Sequence, residues 1–201
     1  YLGLDIFINS NPDAWDTYLN AIDIASSIID SEQVKLSVLF SLIAIFVYES
    51  SSDLTLSKQF LSKFSNEADL KKRYDRFLEY YKSIDDIYDN KESANSDETI
   101  RRLSLSVNLK ELYYLSAALF LAKHKRNSLD DYAAGTWFIK KATALNVEST
   151  PPSPFVSGKD LAALGIEPGP KMGSLIAGVF EEQLKGLILS KEEAIEWIKN
   201  Q

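Results

Sequence analysis

The residues best placed for chemistry are Lys159 and Lys171, two cations that bracket Gly165 and Gly169, with Gly173 just beyond. Cations and flexible backbone at a helix start suit one task. The free N–H groups and the ammonium charges can hold a phosphate without reading a base. Arg101 and Arg102 are a second pair of cations, and two readings stand level for them: contact with phosphate, or decoration of the surface. Bond-making chemistry has no comparable constellation. His124 is the single histidine and cysteine is absent, so an ordinary imidazole or thiolate metal cluster cannot be assembled. No acid, nucleophile or ligand pattern joins His124, which reads as a helix-end residue. Asp85, Asp86 and Asp89 read as a solvated helix end rather than a magnesium site. The expected catalytic, cofactor and metal sets of this chain are therefore empty.

Local elements must position the lysines. Ser157 can cap a short helix carrying Asp160, Leu161 and Leu164, and Gly165 supplies its flexible end. Pro168-Gly169-Pro170 then turns the chain into a second helix starting near Lys171, giving a tight helical hairpin. A plainer reading stays open, in which the glycines let two helices pack closely and the lysines are simply solvated. Thr150-Pro-Pro-Ser-Pro154 is an extended lead into this module, and Ser190 with Glu193 forms a capping box for a last helix over 191–198. Upstream, helical spacing of apolar residues predicts helices over 13–29, 32–48, 54–64, 67–88, 97–106, 108–123 and 128–145. Asp53 and Asn66 serve as caps, and 91–96 as a polar hinge. The apolar stretch 34–47 contains Lys35, is short for a membrane crossing, and predicts a buried helix. Tyr113, Tyr114, Trp137 and Phe138 could stack on bases, but their helical spacing predicts core packing.

The expected fold class is all-α, an elongated multi-helix body with a small C-terminal helical tail module. Its hydrophobic content of 45% is ample for a core. The formal charge of −7 argues against nucleic acid until it is divided: residues 1–100 carry −9 and residues 101–201 carry +2, making the second half the better RNA candidate. No targeting signal stands out, and zero cysteines fits a reducing compartment, so the expected location is cytoplasmic.

Two segments carry a family resemblance. Val156-Ser-Gly-Lys-Asp-Leu-Ala-Ala-Leu-Gly-Ile-Glu-Pro-Gly-Pro-Lys-Met-Gly173, followed by Glu181-Glu-Gln-Leu-Lys-Gly-Leu-Ile-Leu-Ser-Lys-Glu-Glu-Ala194, resembles the C-terminal region of bacterial CCA-adding tRNA nucleotidyltransferases and their poly(A) polymerase relatives. Arg101-Arg-Leu through Leu109-Lys-Glu-Leu-Tyr-Tyr-Leu115 is similar to the helical body before that tail. Weaker likeness lies in Pro12-Asp-Ala-Trp-Asp-Thr-Tyr-Leu and Val34-Lys-Leu-Ser-Val-Leu-Phe-Ser-Leu-Ile43, which resemble the start of a histidine-aspartate hydrolase-like region carried by some members. The metal pattern there wants a histidine near Tyr18 and a histidine-aspartate pair at Phe40 and Ser41, and this chain has none of them.

The resemblance implies three parts: a degenerate hydrolase-like helical domain over 1–92, a helical body over 93–150 and a tail over 151–201. It further implies tRNA as partner, together with an N-terminal nucleotidyltransferase domain of the same larger protein, and no membrane. That catalytic domain, with its Mg2+ and ATP or CTP, is not found in this chain. The expected role is thus to position the outer stem or elbow of tRNA for template-independent 3′-end addition, the chain itself being inactive. Lys159, Lys171, Gly165, Gly169, Gly173, Arg101 and Arg102 form the expected RNA-binding set. A helical protein-interaction or dimerisation module and the non-catalytic portion of a poly(A) polymerase are the alternatives.

Overall fold

The longest apolar run sets the centre of the fold. In the computed structural model, which describes residues 4–62 and 68–201, the helices are α1 (Leu4–Ser10), α2 (Pro12–Ile28), α3 (Glu32–Ser51), α4 (Leu54–Ser62), α5 (Ala68–Tyr80), α6 (Ser83–Asp89), α7 (Ser96–Ser104), α8 (Leu109–His124), α9 (Ala133–Ala144), α10 (Gly158–Ala163), α11 (Pro170–Lys185) and α12 (Lys191–Lys199). The architecture is all-α, without strands among the described residues. By length and composition α3 could cross a bilayer. Here Val38, Leu42, Ile45, Phe46 and Val47 are wholly buried, and α2, α4, α5 and α8 pack around the helix. Being apolar on nearly every side suits a helix with neighbours on most of its faces, although Leu36 near its start is exposed. Its buried serines are satisfied: Ser37 and Ser41 donate to the carbonyls of Val34 and Ser37, and Ser57 of α4 donates to that of Ala44.

Several helix starts follow from short polar side chains. Asn11, Ser31 and Asn108 accept from the N–H groups of Ala14, Val34 and Glu111, opening α2, α3 and α8. Asp53 accepts from Thr55 and Leu56 as expected. The expected cap Asn66 and the end of the 54–64 helix lie outside the described residues.

Two expected helices are broken instead. The 67–88 segment divides into α5 and α6 around Tyr81 and Lys82. The break frees the Tyr81 carbonyl, which accepts from the buried Ser116 hydroxyl at 3.1 Å. It also turns Ile84 and Ile87 into the core. The 128–145 segment begins as a 3₁₀ turn over Leu129–Asp131 and becomes α9 only after Tyr132, whose backbone is non-helical and whose buried ring sends its hydroxyl to Asp85 at 3.1 Å. Asp85 thus accepts a structural hydrogen bond while remaining exposed at the start of α6.

One continuous buried cluster runs from Tyr18 to Val147 and draws on both sides of position 92. A second, smaller one runs from Val156 to Ile198 and belongs to α10, α11, α12 and their connections. Gln183 fastens the lead between them. Its amide donates to the Ser153 carbonyl at 2.9 Å and accepts from the Phe155 N–H at 3.2 Å. α7 and α11 meet across the two clusters.

Candidate nucleic-acid interface

The hairpin that carries both lysines is built on Leu161 of α10 and Met172, Leu175 and Val179 of α11, all buried. At its first helix, the Ser157 N–H and hydroxyl both donate to the Asp160 carboxylate, at 2.8 and 2.6 Å, while Lys191 of α12 pairs with the other carboxylate oxygen. Lys191, and then Ser157, hold that carboxyl far below the usual range. The acid beside Lys159 is therefore turned toward α12, and Lys159 stays exposed. α10 closes through Gly165, whose φ of +83° lies in the left-handed region, with Ile166 donating to the Leu161 carbonyl at 3.1 Å.

The second helix has an open start. Gly169 is extended, Pro170 occupies the first turn without an N–H, and no side chain caps α11. Its first backbone bond runs from the Gly173 N–H to the Gly169 carbonyl at 3.3 Å, leaving the N–H groups of Lys171 and Met172 directed out of the helix end. The first turn carries no acid, and Lys171 is exposed. A Cβ built at Gly169 or Gly173 would meet nothing within 4 Å. Close helix packing therefore does not account for these two glycines. Gly178 is the contrast: a Cβ there would stand 2.8 Å from the Trp197 ring, so close approach requires glycine. Bare, exposed backbone beside a cation and a positive helix end can admit an anion at short range.

Arg101 and Arg102 are placed elsewhere, at the α7–α11 joint. Arg101 Nη1 donates to the Leu184 carbonyl at 3.2 Å and lies against Gly186. Arg102 donates to Glu98 at 2.8 Å and to Glu181 at 2.7 Å. Both bind the tail to the body, a role the sequence reading did not include.

No family model, curated protein or solved structure matches the chain.

In the body, the positions where the hydrolase-like pattern wants ligands are structural. Tyr18 is buried and donates to Glu49 at 2.7 Å, and the Ser41 hydroxyl is used within α3. Among the described residues no three His, Cys, Asp or Glu side chains converge. His124 packs against Phe120 in a tilted arrangement, with ring centroids 4.4 Å apart. Sequence reasoning passed over a basic run on α5, Lys71, Lys72, Arg73 and Arg76, which stands out as four of the nine cations in the acidic half. Three acids share that helix and bring its net charge to +1, so a count of cations, not of net charge, is the signal that finds the run.

Proposed function

We propose that this chain is the tRNA-binding body and tail of a CCA-adding tRNA nucleotidyltransferase, with the nucleotide-adding chemistry supplied by a catalytic domain that the chain does not contain. The observation that carries the reading is the α10–α11 hairpin. The segment of strongest resemblance, 156–173, contains a helix start that is uncapped and has no acid in its first turn, with Lys171 in that turn and Lys159 on the preceding helix. Glycines without a packing reason stand beside it. Such a site grips backbone phosphate and ignores bases, which suits a partner set that shares shape but differs in sequence. Gly165 shapes the turn, Gly169 and Gly173 admit the phosphate, and Lys159 and Lys171 supply charge. Arg101 and Arg102 act indirectly by fixing the tail on the body.

The test is salt-dependent binding to folded tRNA, an acceptor-stem and T-arm minihelix, unstructured RNA and duplex DNA. We expect preference for tRNA and minihelix. Lys171→Ala should weaken binding to different tRNAs alike and lower the salt slope by about 0.7–0.9. Equal binding to all four nucleic acids, or none, overturns the reading. A protein-docking module is the second reading, favoured by Leu187 and Leu189, which are 68% and 65% exposed in the α11–α12 connection.

A further inference from the structure

Away from the hairpin, α5 and the start of α8 border a cleft of about 220 Å³. Lys72, Arg73 and Arg76 stand on its α5 side, with Ser106 and Glu111 opposite. That gives the cleft a strong positive wall inside the acidic half of the chain. A second observation concerns the hydrogen bonding of the opposite wall. Glu111 is only 8% exposed, and its Oε2 accepts no hydrogen bond. Arg73 Nη1 lies 3.4 Å from that oxygen, near enough to pair electrostatically but outside hydrogen-bond geometry. A buried acceptor without a donor is costly, so the site calls for a ligand that brings one.

The ligand must therefore combine an anionic group with a hydroxyl donor a short distance away. The volume is below the roughly 300–1,000 Å³ typical of sites for whole drug-sized ligands, and suits one unit of a polymer. Glu111 also borders a neighbouring cleft of about 260 Å³, but there a single cation, Lys110, stands with Asp30, against three cations in the first cleft. A ribose–phosphate unit has the required pair of groups. Its phosphate meets the cations, and its 2′-hydroxyl is the donor that distinguishes RNA from DNA. Arg76 is bonded to Glu79 at 3.0 Å, a half-exposed pair that yields readily to a phosphate.

We propose that this cleft holds one ribose–phosphate unit of RNA, the phosphate against Lys72 and Arg76 and the 2′-hydroxyl donating to Glu111 Oε2. The proposal rests on the reading of the chain as an RNA binder and adds discrimination against DNA at a second place, on α5 and α8.

The experiment is an NMR titration of the chain with uridine 3′-phosphate and with 2′-deoxyuridine 3′-phosphate, run beside tRNA binding. The ribonucleotide should shift backbone amides of 71–76 and 106–111 and bind about three- to tenfold more tightly than the deoxy form. Lys72→Ala with Arg76→Ala should abolish both titrations. Glu111→Leu should erase the difference between the sugars, and Glu111→Gln, which keeps an acceptor oxygen, should preserve it; circular dichroism and melting confirm the fold of each variant. Equal affinity for the two nucleotides, or shifts confined to other residues, overturns the cleft. If tRNA binds through Lys171 while the mononucleotides do not, the cleft fails and the broader reading stands. Mononucleotide discrimination without tRNA binding has the reverse meaning.

Discussion

Glu49 joins three distant parts of the body through one carboxylate. Tyr18 and Tyr81 donate to it at 2.7 and 3.2 Å, and Lys123 lies 3.1 Å away. Burial works to raise its pKa, yet the Tyr18 hydrogen bond and the Lys123 charge prevail and hold it below the ordinary value. A depressed folded-state pKa stabilises the fold above the unfolded value, about 4.3, and that contribution fades as pH falls through the folded value. Asp85 and Glu111 have the opposite sign, since burial raises both and acid relieves them. The comparison of Glu49→Gln with the parent isolates the one group. We expect Glu49→Gln to melt lower at pH 7 and the gap to narrow below about pH 4; a gap independent of pH would show that charge plays no part. Tyr18→Phe, which removes one donor from a partly buried carboxylate, should cost about 1–2 kcal/mol in denaturant unfolding. None of this was legible in the sequence, because the partners of Glu49 stand 31, 32 and 74 positions away. Ser157, Gly165 and Lys171 were legible because their geometry is decided within a few residues.

At the level of elements, periodicity found most of the helices, passed over the seven-residue α1 and missed two interruptions. A break at Tyr81 and Lys82 leaves the apolar spacing of 67–88 almost intact, and its reason, the Ser116 hydroxyl, comes from another helix. The start of α9 was hidden in the same way by Tyr132, whose partner is Asp85. The glycines of α11 separate packing from binding. At Gly173 an alanine has open space and a better helix propensity, so Gly173→Ala should stabilise the chain by about 0.5–1 kcal/mol. The same methyl group covers backbone at the open helix start, and tRNA affinity should fall as stability rises. Thermal melting and tRNA titration of one variant check both, and unchanged affinity would remove Gly173 from the interface.

For the whole molecule, two cores of unequal size share one chain. The tail cluster has eight buried apolar residues, far fewer than the body, so its opening should require less free energy. Amide hydrogen exchange should show weaker protection in α11 and α12 than in α3 and α8. The Arg102 contacts are exposed, so solvent screening leaves them little weight in global stability. Arg101→Ala with Arg102→Ala should nevertheless speed exchange in the tail while leaving α3 unchanged. Equal protection throughout would mean that body and tail open together.

Gln183 gives the joint a metric property. Its donor faces the Ser153 carbonyl and its acceptor faces the Phe155 N–H, so the amide engages the lead in one orientation and at one register. The lead is anchored behind by the Asn108 side chain on the Ser149 carbonyl. Between the two anchors the chain acts as a ruler whose divisions are single residues. An insertion or deletion at 150–152 would alter its length by one division and leave every contact within the tail intact.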